Sequence, residues 1–429
     1  MRRCITKFCI LGLVVPLLIS GCSDNGKNQA ELSPIPEVRE SFVEESNKLK
    51  SQTFDNLNFE NTYFSFPDVN EVYSFEYKIT DFDISADDAY DYMCRRTDEL
   101  FPGMFSNEEK VKEIKFYDVG TTEYPTLEQY KALEEKNYPY ILSNHPTTGI
   151  KRGNECLLRV LNGVLWSYDD GTLARLNGFT GNLGSFDALG KFPVIYRTEN
   201  IESEKVFHLL DGDISIADAV NSAEKLLLEL NLSERELPFN MRIRNVNVLD
   251  IGNDCCAFYF GIVPVYKSIK SDCILPDDSV FGFSTISDST NERDSCGELI
   301  MCESDRICRY GYLNPASVYD VTKSSSTASI IPLKNAAQTV SEYLSEDMHF
   351  NVLSISAGNK SFSDFSSYPT DSESYESYER RTITVRPCWR FVLQPLTGNT
   401  DRLYYIFIDM VTGKAYSTVQ QTQSDVKYD

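Results

Sequence analysis

The chain has 429 residues, with 41 basic and 64 acidic side chains and a formal net charge of −23. Nucleic-acid phosphates and anionic lipid head groups repel such a chain, so no nucleic-acid partner is expected. Hydrophobic residues make up 41% of the sequence, including 25 Tyr and 25 Phe. This excludes a chain that is disordered throughout, and the length predicts two or three domains.

The N-terminus has the form of an export signal. Arg2, Arg3 and Lys7 precede an apolar run over residues 8–19, which is shorter than the roughly 20 residues of a membrane-spanning helix. Residues 19–22, Ile-Ser-Gly-Cys, resemble the bacterial lipobox. The resemblance implies a signal peptide over residues 1–21 and a lipid anchor, palmitate included, on Cys22. The mature chain would then lie on the extracytoplasmic face of the cell membrane, attached by lipid only. The alternative is an ordinary secretory signal.

A nine-residue phrase occurs twice, as DFDISADDA at 81–89 and as DGDISIADA at 211–219. A calcium-binding EF-hand loop would need Gly at its sixth position and Glu at its twelfth. Here Ala86 and Ile216 occupy the sixth position, and Tyr92 and Ser222 the twelfth, so we reject that interpretation.

The phrase instead predicts the start of a helix. Ser85 and Ser215 are suitable N-caps, and Asp88 and Asp218 follow three residues later, where a carboxylate complements the helix N-terminus. Apolar residues then recur at helical spacing. A weaker third copy, Ile331–Ala336, has Pro332 in place of the capping serine, and proline is tolerated at a helix start.

Alternating, strand-like segments follow each predicted helix. The clearest lie at 156–168, 241–251, 255–266, 349–355, 382–396 and 402–417. We therefore predict an α+β fold of two or three modules, each a helix packed on an antiparallel sheet. The predicted boundaries are 22–60 for a lipidated cysteine and flexible polar stalk, 61–205 and 206–325 for the first two modules, and 326–425 for the C-terminal module.

The C-terminal module resembles PepSY-like and YycI-like extracytoplasmic domains, and its fold would be PepSY- or cystatin-like. The resemblance rests on the helix opening at Ile331–Ala336, the strand around Trp389 and the closing Asp409-Met-Val-Thr-Gly-Lys414. Pro332 and a long polar insertion depart from the family pattern. The family implies no catalytic residues and no cofactor, and its members act as regulators, inhibitors or adaptors of envelope and secreted proteins.

Nine of the 12 cysteines lie beyond Cys22. No C-x-x-C pair occurs, and His145, His208 and His349 are isolated, so no metal site is expected. Cys302 and Cys308 flank a predicted hairpin tip and form the candidate disulfide.

Two polar segments, 284–296 and 356–381, lack periodicity. The second is predicted as a solvated insertion, with a binding loop presenting Tyr368, Tyr375 and Tyr378 as the alternative.

No nucleophile elbow, H-E-x-x-H helix or phosphate-binding loop occurs, so no enzyme is predicted. The predicted function is a non-enzymatic regulator or adaptor that binds an envelope or secreted protein. The alternative is a surface receptor for a small molecule, peptide or glycan. A cleft containing Trp166 or Trp389 would favour the receptor, and Trp389 buried in a core would favour the adaptor. An enzyme would require His208 or His349 to meet Cys or Ser in a cleft.

Overall fold

A computed structural model describes a large part of the chain. The described residues are 32–51, 54, 56–80, 85–117, 126–134, 147–152, 156–161, 164–179, 187–230, 240–266, 269–270, 297–312, 318–344, 348–363, 382–397 and 402–421. Over these residues the fold is α+β, as predicted, with helices packed on two large sheets that are mainly antiparallel.

The described helices are short to medium in length. They are α1 Ile35–Ser51, α2 Ala86–Leu100, α3 Asn107–Glu113, α4 Leu127–Glu134, α5 Thr172–Asn177, α6 Ala188–Lys191, α7 Ile216–Glu229 and α8 Leu333–Tyr343. Among the described residues, no helix combines the length and apolar character needed to cross a membrane.

The first large sheet contains ten described strands in the order β5-β6-β7-β8-β16-β15-β13-β12-β9, with β14 paired to β13. Its strands are β5 Lys115–Tyr117, β6 Thr147–Arg152, β7 Cys156–Leu161, β8 Val164–Asp169, β9 Val194–Thr198, β12 Asn240–Gly252, β13 Cys255–Tyr266, β14 Ile269–Lys270, β15 Gly297–Glu303 and β16 Arg306–Tyr312.

The second large sheet contains eight described strands, in which β17-β4-β20-β19-β2 is the main order, β3 pairs with β19, and β21 joins β20 to β22. Its strands are β2 Leu57–Asn58, β3 Tyr63–Ser65, β4 Val72–Thr80, β17 Val318–Thr327, β19 Phe350–Ser363, β20 Thr382–Pro395, β21 Arg402–Asp409 and β22 Ala415–Gln421. Two short pairs, β1 Ser33–Pro34 with β18 Ser329–Ile330 and β10 Val206–His208 with β11 Asp213–Ser215, complete the described strands.

The threefold repeat is visible in the strand connections. Helix α2 is followed by the antiparallel succession β5 to β8, α7 by β12, β13, β15 and β16, and α8 by β19 to β22. The first two successions join through their last strands, because β8 pairs with β16. The repeated phrase therefore opens a helix-plus-sheet unit each time.

The predicted caps are present. The Ser85 hydroxyl accepts a hydrogen bond from the Asp88 amide, and the Ser215 hydroxyl accepts one from the Asp218 amide. Pro332 precedes α8 without a side-chain cap. The turn that follows Asp409 is held by the Asp409 side chain. Its carboxylate accepts from the Val411 and Thr412 amides, and Gly413 has φ 71°.

Each sheet has its own core. Helices α2 and α7 cover one face of the ten-stranded sheet, while α5 and α6 pack on the other. Helices α1 and α8 cover the eight-stranded sheet above Trp389, whose indole nitrogen donates to the Ile331 carbonyl at 2.8 Å.

The structure differs from the predicted stalk over 22–60. Residues 35–51 form α1, which buries Ile35, Val38, Phe42 and Leu49 against the C-terminal module. These side chains recur at helical spacing, and Pro36 lies in the first turn, where proline does no harm. The apolar stripe outweighs the polar composition because burying each large side chain contributes about 1.5–3 kcal/mol.

The predicted boundaries at 205 and 325 also do not separate the sheets. Strands from 61–205 and 206–325 share the ten-stranded sheet, whereas β4 and β17 pair with each other and join the C-terminal sheet through β4 and β20. Sharing a sheet satisfies backbone groups that the edge of each isolated unit would leave unpaired.

Two strand limits also differ from the prediction. Strand β19 continues into the predicted insertion as far as Ser363, and the segment 402–417 is split into β21 and β22.

Candidate functional site

A cleft of about 650 Å³ lies where the two sheets meet. Helix α1 and strands β2 and β3 form one wall with β19, and β9 with the turn that follows it forms the other. Its volume lies within the range of small-molecule and cofactor sites.

The lining of the cleft is rich in carboxamides, which both donate and accept hydrogen bonds. They are Asn47, Asn58, Asn61, Asn200, Asn351 and Gln394. Lys50 and Glu60 are the charged residues of the lining. The site therefore carries a high density of neutral polar groups and a nearly balanced charge.

Part of this polar lining holds the wall in place. Asn58 Nδ2 donates to Asn351 Oδ1 at 2.9 Å, and Thr62 Oγ1 donates to the Val352 carbonyl at 2.7 Å. Both bonds tie the segment before β3 to β19. Asn47, Asn61 and Gln394 also line the cleft, and their side-chain amides bond to no other described residue.

Aromatic rings supply the apolar part of the lining: Phe42, Tyr63, Phe64 and Tyr196. Lys50 Nζ lies 5.6 Å from the centre of the Phe64 ring, a cation–π distance. Burial, with the nearby charges of Glu202 and Glu199, raises the pKa of Tyr63. Tyr63 is therefore a neutral phenol at physiological pH.

A buried ion pair joins the two sheets beside the cleft. Arg390 on β20 donates from Nη1 and Nη2 to the two carboxylate oxygens of Glu199, at 2.8 and 3.0 Å, and Ser354 also donates to Glu199. The Arg390 and Glu199 side chains are 2% and 11% exposed. Burial by itself would raise the pKa of Glu199, but the charge and hydrogen bonds of Arg390 and the Ser354 hydroxyl lower it to about 2.

This ion pair is next to the lining in sequence. Thr198, Asn200 and Leu353 line the cleft. Glu199 lies between the first two in the sequence, and Ser354 directly follows the third. The bidentate pair with Arg390 therefore fixes the β9 wall relative to β20, and the Ser354 hydrogen bond fixes it relative to β19.

The residues that the sequence singled out for a pocket or for catalysis, Trp389, His208 and His349, do not line the cleft. Trp389 is fully buried in the core of the eight-stranded sheet. His208 is exposed and bonds to Asp213 at 2.6 Å, and His349 is exposed. Neither meets a described Cys or Ser in the cleft. No cluster of three His, Cys, Asp or Glu that could hold a metal occurs among the described residues.

Several predicted residues lie outside the described part of the chain. They are Cys22, His145, the segment 284–296 and the three tyrosines at 368, 375 and 378, and the side chain of Trp166 is likewise not described. Cys302 and Cys308 are described as buried thiols with their sulfur atoms 3.4 Å apart.

Sequence reasoning did not identify the cleft residues. Seven of the 19 lining residues lie on the segment 22–60 that was assigned to the stalk, and none of the 19 belongs to a recognised motif. The helical spacing from Ile35 to Leu49 was the available signal, and it would have located one wall.

No protein-family model matches the sequence, and no curated protein matches it. A crystal structure of an uncharacterized protein from Eubacterium rectale ATCC 33656 is similar, with 13% identity over 85% of this chain and 92% of that chain and a TM-score of 0.46.

Proposed function

We propose that this protein is a non-enzymatic, extracytoplasmic binding protein, tethered by lipid on Cys22, that holds a polar ligand in the cleft between its two sheets. The observation that carries the proposal is the cleft of about 650 Å³ with its six carboxamide side chains. Carboxamides suit a ligand rich in hydroxyl or amide groups, because each offers both donors and an acceptor.

The charges and rings of the cleft narrow the ligand further. One lysine and one glutamate in the lining match a neutral or zwitterionic molecule better than a polyanion. The rings of Phe42, Tyr63, Phe64 and Tyr196 would cover its apolar faces. A neutral glycan or a short peptide fits this chemistry.

A thermal-shift screen tests the proposal. The exported protein is heated with neutral oligosaccharides and with short peptides, and a ligand at 100 times its Kd would stabilise the fold by about 2.7 kcal/mol. Asn47→Trp places a large ring in the cleft and should abolish the shift. Glu40→Trp, on the same helix and exposed outside the lining, should retain it. A ligand shift of the same size in Asn47→Trp would contradict the cleft as the binding site.

A second candidate function is the adaptor that binds another envelope protein. The burial of Trp389 in the core favours it, because this tryptophan then serves the fold and not a pocket. Crosslinking in intact cells followed by mass spectrometry tests this candidate. A reproducible partner that is lost when Tyr368, Tyr375 and Tyr378 are all changed to Ser would support it, and a capture pattern equal to that of an untagged control would count against it.

A further inference from the structure

Two buried cysteines face each other on neighbouring antiparallel strands of the ten-stranded sheet. Cys302 on β15 and Cys308 on β16 are each 1% exposed, and their sulfur atoms lie 3.4 Å apart. The strand register shifts on both sides of the Met301–Ile307 pair, which places both cysteines on the face covered by α5 and α6. A disulfide has sulfurs about 2.05 Å apart, so its formation requires only a small movement of the two side chains.

The β15–β16 hairpin, whose tip lies between the two cysteines, contacts two other segments of the chain. At its tip, the amide and hydroxyl of Ser304 donate to the Asp211 carboxylate at 2.9 and 2.6 Å. At its base, the Leu210 amide donates to the Cys302 carbonyl at 2.9 Å, and the Asp170 amide donates to the Cys308 carbonyl at 3.1 Å. A crosslink at this place would hold the β10–β11 connection and the start of α5 together through one hairpin.

We propose that Cys302 and Cys308 form a disulfide in the exported protein and that it fastens this junction. The oxidant is a disulfide-bearing compound such as glutathione disulfide. One thiolate attacks a sulfur of the oxidant and releases a thiol, and the second thiolate then displaces the remaining glutathione. Two electrons and two protons leave the cysteines and appear on two glutathione thiols, and one sulfur–sulfur bond forms within the chain.

The surroundings of the pair indicate when this exchange occurs. Both sulfurs are covered in the folded chain, and contact with Cys302 together with burial raises the pKa of the Cys308 thiol. A buried, protonated thiol reacts slowly, so oxidation precedes the packing of the hairpin under α5. The disulfide is then a stable structural link.

Peptide mapping of the full chain tests the inference. The protein is taken from cell membranes into denaturant with iodoacetamide and digested without reductant. Trypsin cuts after Arg306, so the two cysteines fall on separate peptides, and Glu-C cuts after Glu298 to remove Cys296 from the first of them. We expect the two peptides joined and unlabelled, and separate after reduction. Alkylation of both Cys302 and Cys308, or their linkage to other cysteines, would overturn the proposal.

A stability measurement gives a second, independent test. Reduction should lower the Tm of the wild type by about 5 °C, as expected for opening a short crosslinked loop. The Cys302→Ala/Cys308→Ala double variant should lack this reductant-dependent shift, while Cys94→Ala, changed at a half-buried cysteine elsewhere, should keep it. An equal shift in the double variant would show that another bond is responsible, against the proposal.

Discussion

At the scale of single residues, the ion pair between Glu199 and Arg390 is the contact that bears most directly on the cleft. Both side chains are buried, and Arg390 also stacks on Tyr405, with its guanidinium carbon 4.9 Å from the ring centre. A buried pair of this kind gives little net stability over an apolar pair, but removal of one partner leaves an uncompensated buried charge.

We therefore expect Arg390→Ala to destabilise the fold by about 3–5 kcal/mol, because Glu199 would remain buried without its cation. Urea unfolding followed by circular dichroism measures the change. Glu76→Gln is the matched control, because Glu76 pairs with Lys323 at the surface and such a pair contributes at most about 1 kcal/mol. Equal losses in the two variants would contradict the assigned role of the buried pair.

The same pair predicts a pH dependence. The pKa of Glu199 is lowered to about 2 in the folded chain, below that of an unfolded glutamate. Its contribution is therefore fully present above the unfolded pKa and is lost as pH falls toward 2. From pH 5 to pH 3 the stability difference between wild type and Glu199→Gln should shrink by about 2 kcal/mol.

The quantity to follow is the difference in unfolding free energy between wild type and Glu199→Gln, because other buried carboxyl groups also change protonation with pH. Burial raises the pKa of Asp169 to about 6 against the opposing charge of Arg309. With its folded pKa above the unfolded value, Asp169 favours folding at low pH and loses that contribution as pH rises through 6. Both proteins retain Asp169, so its effect cancels, and a difference that stays constant from pH 5 to pH 3 would count against ionised Glu199.

At the scale of elements, helix α1 is part of the folded core and not of a flexible stalk. Phe42 stacks on Trp389 with ring centres 6.1 Å apart, whereas the neighbouring Val43 is 68% exposed. We expect Phe42→Ala to cost about 3–5 kcal/mol through the cavity it creates, and Val43→Ala to change stability by less than about 0.5 kcal/mol. Urea unfolding distinguishes the two, and a neutral Phe42→Ala would restore the stalk interpretation.

The repeated phrase makes a prediction at the same scale. Ser215 caps α7 through the Asp218 amide, so Ser215→Ala should cost about 1 kcal/mol. Ser324, an exposed serine on the edge strand β17, provides the control, since Ser324→Ala removes no helix cap. Differential scanning calorimetry gives both Tm values, and an unchanged Tm for Ser215→Ala would show that the cap is dispensable.

Elements also show the limits of prediction from local pattern. The strand at 255–266 was predicted because alternation is a local signal. Asn253 and Asp254 in the preceding turn have φ of 56° and 60°, a conformation that Asn and Asp tolerate. The pairing of β8 with β16 and of β4 with β17 has no local signal, since it joins segments that are far apart in the chain.

At the scale of the whole molecule, the start of α1 at Ile35 shortens the proposed tether. Only the residues between Cys22 and Leu32 separate the predicted lipid anchor from the first described residue. Even fully extended, about ten residues span no more than about 35 Å. We therefore propose that the start of α1 stays within about that distance of the membrane surface.

The anchor itself is tested by Cys22→Ser. We expect the variant to leave the membrane fraction or to keep its signal peptide, because the acyl attachment site is gone. Cys9→Ser, a change within the apolar run, should fractionate and migrate like the wild type. Fractionation and immunoblotting give the answer, and a Cys22→Ser protein that behaves like the wild type would refute lipid anchoring.

The sequence by itself determined the α+β class, the helix starts at Ser85 and Ser215, and the threefold helix-then-sheet order. These follow from caps, turns and periodicity, which act over a few neighbouring residues. Only the tertiary structure decided that two units share one sheet, that α1 belongs to the C-terminal core, and that a polar cleft forms where the sheets meet. Such features depend on which distant edges and faces become buried together, and the free energy of that burial is a property of the assembled chain.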